Sequence, residues 1–235
     1  MLKVIDTAVP VACWSCSVAH NESTLFCPHC SKIQPPQGGD YFSAFGLEPR
    51  LNLDLQALEH EFYRLSRKLH PDRFARAGMN EKQWSLADTA LLNDAYRTLK
   101  DPLRRTEYVL KLEGAATGES ASRSGTSLVQ DQEKTRVPAD LLEEVFDLNM
   151  QLEEMRRSRK MGEEDQAPKE SLLEAKGKFE RLIGAVDRDL RSAWDEWDAG
   201  DAGVRNTAQQ AMVALLDRRR YLSNLARGVT EILGA

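Results

Sequence analysis

The sequence predicts an all-α protein headed by a small metal-stapled module, and three observations carry that prediction. Apolar residues recur at steps of three and four through one long stretch after another. The four cysteines, Cys13, Cys16, Cys27 and Cys30, all fall within the first thirty residues. The first forty residues lack apolar periodicity and are the only place where short β-strands find room.

Residues 1–39 end in Gln34-Pro35-Pro36-Gln37-Gly38-Gly39, a punctuation that regular elements avoid, so a boundary is placed there. The second unit spans 40–113. Its first helix is predicted from Leu53 to Leu69, with Asp54 as N-cap and Leu55, Leu58, Phe62, Leu65 and Leu69 on one face. A second runs from Glu81 to Lys100 through Trp84, Ala87, Leu91, Leu92, Ala95 and Leu99, and Asp101-Pro102 opens a third to Leu112. Residues 114–137 are rich in Gly, Ser, Thr and Ala and read as a flexible linker. The stretch 138–235 is predicted as a three-helix bundle. Its second helix carries Leu172, Phe179, Ile183, Val186, Leu190, Ala193 and Trp197. Its third, from about Thr207 to Leu233, carries Ala211, Leu215, Leu222, Leu225, Val229 and Ile232. GEEDQAP, 162–168, is a polar break between the first two.

Composition sets the outer bounds. A 235-residue chain that is 41% hydrophobic is neither collagen-like nor wholly disordered, and it has length for two or three units. No apolar run approaches the ~20 residues that cross a bilayer, so no membrane span is expected. The 32 basic and 37 acidic residues leave a net charge of −5, which gives no global attraction to a phosphate backbone. The opening MLKVIDTAVPVA matches neither a secretory signal nor an Arg-rich presequence.

Cys13-x2-Cys16 and Cys27-x2-Cys30, ten residues apart, let two tight turns each offer a pair of thiolates to one tetrahedral ion. Two disulfides or four unrelated buried thiols are the alternatives, and the clustering favours metal. Zinc is preferred to iron, one ion per chain, and with four thiolates and no open coordination position the site would be structural rather than catalytic. His20 and His29 are neighbours that could substitute as ligands. With almost no apolar core, the module would draw its folding energy from the metal.

His70-Pro71-Asp72 stands at the mouth of the loop between the first two helices of the second unit, where Pro71 stops the helix. At about 100° per residue, Arg64, Arg67 and Lys68 lie on the face opposite Leu58, Phe62, Leu65 and Leu69. Residues 60–76 hold five Lys or Arg and two acids, a stripe suited either to solvent or to an acidic protein partner.

DYFSAFGLE, the basic helix, HPDRF and LLNDAYRTLKDPLRRTEYVLKLEG together resemble the J-domain of the iron–sulfur co-chaperones of HscB and Jac type. Tetracysteine module, J-domain and three-helix tail follow one another in animal and plant members of that family, so the resemblance covers nearly the whole chain. It implies that His70, Pro71 and Asp72 stimulate a partner heat-shock ATPase of the seventy-kilodalton class and that Arg64, Arg67 and Lys68 dock onto it. The long linker and the GEEDQAP stretch depart from compact members.

In the 139–155 helix, Leu141, Val145, Leu148, Leu152 and Met155 form one stripe, while Leu142, Phe146 and Met150 form a second about 140° away. The same segment holds six acids and no Lys or Arg. By periodicity alone the second stripe is either core or docking surface. The resemblance implies docking of a cluster scaffold of the IscU/Isu type on Leu142, Phe146 and Asp147, with Met150 beside them and Tyr221 as an added contact, although Glu143 stands where the family is usually apolar.

The function expected is a non-enzymatic co-chaperone that holds the scaffold and engages the ATPase. A general DnaJ-type co-chaperone carries its cysteines after the J-domain in CxxCxGxG repeats, which this chain lacks. A zinc-ribbon nucleic-acid binder is disfavoured by the charge, and no Gly-rich phosphate cradle points to an enzyme. The family implies the mitochondrial matrix, with a cytosolic pool as the other location.

Overall fold

The structure, a computed structural model, describes residues 11–20, 24–36, 39–115, 146, 147, 150, 153, 157 and 166–233. Two short strands, β1 (Val11–Ala12) and β2 (Ala19–His20), pair antiparallel with Val11 opposite His20. Among the described residues five continuous helices follow, α1 (Leu55–Leu69), α2 (Met79–Lys100), α3 (Pro102–Leu112), α4 (Gln166–Ala199) and α5 (Ala202–Leu233), and the isolated residues 146, 147, 150, 153 and 157 are also helical. The chain divides into two compact units, Met1–Val109 and Leu110–Ala235. No helix among the described residues is long and apolar enough to cross a membrane.

Aspartate sets three of the helix starts. The Asp54 carboxylate accepts from the amides of Gln56 and Ala57, both at 3.0 Å, Asp101 from Leu103 and Arg104, and Asp201 from Gly203 and Val204. Pro102 begins α3, where its missing N–H costs nothing. α3 ends at Gly114, whose φ of 73° allows the Gly114 and Ala115 amides to close on the Lys111 and Leu110 carbonyls.

In the first unit Leu58, Leu65 and Leu69 of α1 face Leu92, Ala95 and Leu99 of α2 in the core, with Phe42 and Leu51 completing it. Phe62, expected inside, is half-buried and stacks on Tyr96 at 4.1 Å, and Leu55 is exposed. Leu92, Ala95 and Leu99 of α2 are buried as expected, but in its first half the buried face is displaced by one residue. Ser85 and Asp88 are buried where Trp84 and Ala87 were expected, and Ala87 is exposed. Trp84 lies at the surface edge because it is taken by another ring, that of Trp14. Tyr41 stacks on Tyr108 at 4.4 Å and donates its amide to the Tyr108 hydroxyl, fixing the segment before α1 against α3.

In the second unit α4 and α5 form an antiparallel pair. Leu172, Phe179 and Val186 pack with Leu222 and Val229, and Asp187 accepts two bonds from Arg219. Arg205 lies over the Trp197 ring at 4.9 Å. α4 begins at Gln166, so Pro168 at the end of the expected polar break stands in its first turn. In α5 the expected Leu222 and Val229 are buried and Leu215 and Leu225 pack against them, whereas toward its start the buried residues are Ala208, Met212 and Leu216 and the expected Ala211 is exposed. The turn between them needs Gly200: a Cβ there would come within 2.6 Å of the Glu196 carbonyl.

Asp88 is 1% exposed and its carboxylate has no hydrogen-bond partner among the described residues. Burial pushes its pKa up to about 7. The folded state therefore binds a proton that the unfolded chain has released, and stability falls as pH rises from about 4 through 7. Asp88→Asn is expected to raise the melting temperature at pH 8 by about 5 °C or more and to leave it nearly unchanged at pH 4, read by thermal melts across pH.

Candidate functional site

The cysteine pairs sit on two matching turns. The Ser17 and Ser31 amides donate to the Cys13 and Cys27 carbonyls at 2.9 Å, and the Cys13 and Cys27 amides donate to Val18 and Lys32 at 3.0 and 2.8 Å. Each turn closes with a serine in the left-handed region, Ser17 at φ 61° and Ser31 at φ 56°, a geometry costing roughly 1 kcal/mol for a residue with a Cβ. The signal in the sequence is Cys-x-x-Cys-Ser, present twice.

The turns bring all four sulfurs within 4.8 Å of one another, with Cys13 to Cys30 at 3.6 Å and Cys16 to Cys27 at 3.7 Å. Those separations exclude disulfides, whose sulfurs stand ~2.05 Å apart, and they match the roughly 3.8 Å edge of a tetrahedron with ~2.3 Å zinc–sulfur bonds. Burial opposes ionisation of Cys13, but the Cys16 and Ser15 amides and the neighbouring thiols bring it down to about 6. At Cys16 the Val18 amide favours the thiolate, yet burial and the three adjacent sulfurs outweigh it and push the thiol up to about 12. Four thiolates so close repel one another, and a bound cation is what would let all four ionise. The donor set thus fits one metal ion, held by Cys13, Cys16, Cys27 and Cys30, which would cross-link the turns.

The two histidines separate. His29 is exposed and is not among the converging ligand groups. His20 is 7% exposed and reaches the site indirectly: its Nε2 lies 3.1 Å from the Gln34 Oε1, and Gln34 Nε2 donates to the Cys13 sulfur at 3.4 Å. Thr24 closes the relay at 2.9 Å from His20 Nδ1. Gln34 is 2% exposed and was invisible to sequence reasoning, because it sits in a Pro-rich stretch with no periodicity to place it.

The second element is the loop after α1. Pro71 opens a 3-10 turn, Pro71–Phe74, and the His70 Nδ1 accepts from the Asp72 amide at 3.3 Å, so the imidazole caps that turn. The Asp72 carboxylate is left 91% exposed, 3.6 Å from His70. Behind the turn the Ser85 hydroxyl, buried in α2, donates to the Leu69 carbonyl at 2.6 Å. Ser85 was missed as well. It is a polar residue on a face whose neighbours are apolar, and only the contact reveals its purpose.

Arg64, Arg67 and Lys68 are all exposed but do not share one environment. Arg64 makes a two-pronged pair with Glu61, which holds that carboxyl below its ordinary value. Arg67 donates back to the Tyr63 carbonyl, and Lys68 stands 5.8 Å from the centre of the Phe26 ring in the cysteine module.

In the second unit Phe146 and Met150 are helical and 65% and 59% exposed, with Asp147 exposed beside them. Leu142 lies outside the described residues. Tyr221 is half-buried and packs against the α4–α5 core, and burial raises its phenol pKa.

No family model matches the chain. It is 30% identical over 217 residues to the iron–sulfur cluster co-chaperone protein HscB of Mus musculus, covering 91% of this chain and 79% of that one. The HscB protein of Homo sapiens is also 30% identical over 217 residues, with 91% and 78% covered. Among solved structures, human co-chaperone protein HscB aligns with a TM-score of 0.59 at 25% identity over 94% of this chain and 97% of its own. Chaperone HscB from Vibrio cholerae shares the fold, with a TM-score of 0.54 at 24% identity over 82% and 97%.

Gln34 positions Cys13 from outside the ligand set, so Gln34→Leu should speed metal release to a chelator by about 10- to 100-fold while one ion per chain still binds. Cys27→Ser should lose the ion. A release rate unchanged in Gln34→Leu would show that the relay does not hold the metal.

Proposed function

Because this chain belongs to the HscB family of iron–sulfur cluster co-chaperones, we propose that it couples a cluster scaffold of the IscU/Isu type to a heat-shock ATPase of the seventy-kilodalton class, stimulating ATP hydrolysis to drive cluster transfer. In this reading residues 1–39 bind one structural zinc, 40–113 form the J-domain, 114–137 link, and 138–235 hold the scaffold. The mitochondrial matrix is the compartment.

The observation that carries the reading is the exposed turn at His70, Pro71 and Asp72. Its backbone is fixed from three sides: Pro71 restricts φ, His70 caps the Asp72 amide, and Ser85 holds the end of α1. The Asp72 carboxylate, 3.6 Å from His70, faces solvent. A rigid turn that holds a carboxylate almost wholly in solvent suits contact with a partner better than chemistry of its own, since its imidazole neighbour is engaged in capping the turn and both side chains are exposed. Arg64, Arg67 and Lys68 supply the opposite charge one helix turn away, which orients an acidic partner on approach. This chain then contributes no catalytic residue, and the hydrolysis belongs to the ATPase.

Scaffold docking is supported by Phe146 and Met150. Two large apolar side chains exposed beside the Asp147 carboxylate make an anchor with an acidic rim. Leu142 joins them through the family resemblance, and the half-buried Tyr221 is an added contact.

Asp72→Asn and His70→Gln should reduce stimulation in single-turnover ATP hydrolysis to the ATPase's basal rate without changing the thermal melt, because both side chains are exposed. Arg67→Glu should raise the concentration needed for half-maximal stimulation and flatten its salt dependence. Full stimulation by Asp72→Asn would remove the J-domain assignment.

Phe146→Ala should cost about 1–3 kcal/mol of scaffold affinity in a direct titration while leaving the melt unchanged. Stimulation by the J-domain alone should survive, and the extra stimulation added by bound scaffold should fall. Unchanged affinity in the folded variant would refute docking at this stripe.

A further inference from the structure

Between the cysteine module and α1 lies a cleft of about 680 Å³. Phe26 and Pro28 line it from the module, Phe45 from the turn before α1, and Arg64, Lys68 and Arg73 from α1 and the turn that follows it. Three cations thus meet an apolar wall, against the single carboxylate of Glu61, which Arg64 already engages. Arg73 belongs to the same 3-10 turn as Asp72, so the cleft runs into the exposed turn. The module is fixed against the helices by three further contacts: Lys32 to Glu81 at 3.1 Å, Trp14 on Trp84 at 5.7 Å, and Lys68 over Phe26. It is therefore a wall in place and not a tethered neighbour.

Resting on the reading that the His-Pro-Asp turn engages an ATPase, we propose that the cysteine module completes a two-walled groove with α1, and that this groove takes an acidic, apolar-flanked segment of that ATPase. The charge decides the occupant. Arg64, Lys68 and Arg73 call for carboxylates. Phe26 and Phe45 call for aliphatic side chains beside them, which a nucleic-acid backbone does not offer. The split of the basic stripe follows from this arrangement: Arg64 and Lys68 face the groove, whereas Arg67 does not line it. Metal binding gains a consequence beyond the module itself, since the wall exists only while the turns at Cys27 and Cys30 are held.

The test measures ATP hydrolysis by the partner ATPase against increasing full-length, metal-loaded co-chaperone. Phe26→Ala, with metal content verified, should raise the half-saturating concentration about five- to tenfold and leave maximal stimulation unchanged, the signature of a lost docking contact. Pro28→Asp, at an exposed position between the ligands, adds a carboxylate to the wall and should raise it similarly; it supplies the reading if Phe26→Ala fails to retain metal. Unchanged half-saturation in a metal-loaded variant would overturn the proposal. A lowered value would do so too, by showing that the module covers the basic face instead of extending it. Asp72→Asn separates the two levels: if it still stimulates fully, the ATPase reading itself fails, whereas failure at Phe26 alone leaves that reading standing.

Discussion

The carbonyl of Leu69 ends α1 with no helical amide to receive, because the chain turns away at His70 and the next amides go elsewhere, that of Asp72 to the His70 imidazole and that of Arg73 to the His70 carbonyl. The Ser85 hydroxyl of α2 satisfies it at 2.6 Å in a fully buried setting, and Thr89 approaches the same oxygen at 3.4 Å. Both ends of the loop are thereby referred to one buried oxygen. Sliding α2 by a single residue would leave that carbonyl and the Ser85 hydroxyl unsatisfied together, a penalty of about 1–3 kcal/mol for each group. The register of α1 on α2, and with it the presentation of His70 and Asp72, follows from this tie.

The cysteine module attaches to the same hairpin through Glu81. That carboxylate accepts the Gly78 amide at the start of α2 and the ammonium of Lys32, each at 3.1 Å. The Gly78 amide first, and Lys32 with it, holds the carboxyl below its ordinary value. One residue thus caps a helix and anchors a separate module, and the Trp14–Trp84 contact adds an apolar component that salt does not screen. Among the described residues the module's own interior is little more than Ile33, the two buried cysteines and the His20–Gln34 relay. A metal tie of about 10–16 kcal/mol in apparent binding energy would exceed anything those few contacts provide.

Much of the chain was legible before the structure, for reasons that are local. Asp54, Asp101 and Pro102 mark helix starts because an N-cap acts within three residues. The paired Cys-x2-Cys spacing fixes the sulfur cluster because two short turns permit little else. What escaped was non-local. Ser85 and Asp88 belong to the buried face of α2, but they read as surface because hydropathy cannot distinguish a buried hydroxyl with a partner from an exposed one. Trp84 was assigned to the core although its partner, Trp14, lies seventy positions away in sequence. Gln34 hides in a segment with no period, where the only clue is the hydrogen bond itself.

Local charge separates the two partners that this reading assigns. The chain carries a net charge of −5, yet residues 60–76 hold five basic groups against two acids, and 139–155 hold six acids and no base. An acidic segment that is drawn to Arg64, Lys68 and Arg73 is repelled by the helix bearing Phe146 and Asp147, and a basic rim on a scaffold meets the reverse pattern. Like-charge juxtaposition costs several kcal/mol at an interface, so each surface would reject the other's proposed partner. The apolar anchors, Phe26 on one surface and Phe146 on the other, can then supply affinity that would be indiscriminate alone. Specificity in such a design resides in the sign of the rim and affinity in the apolar ring.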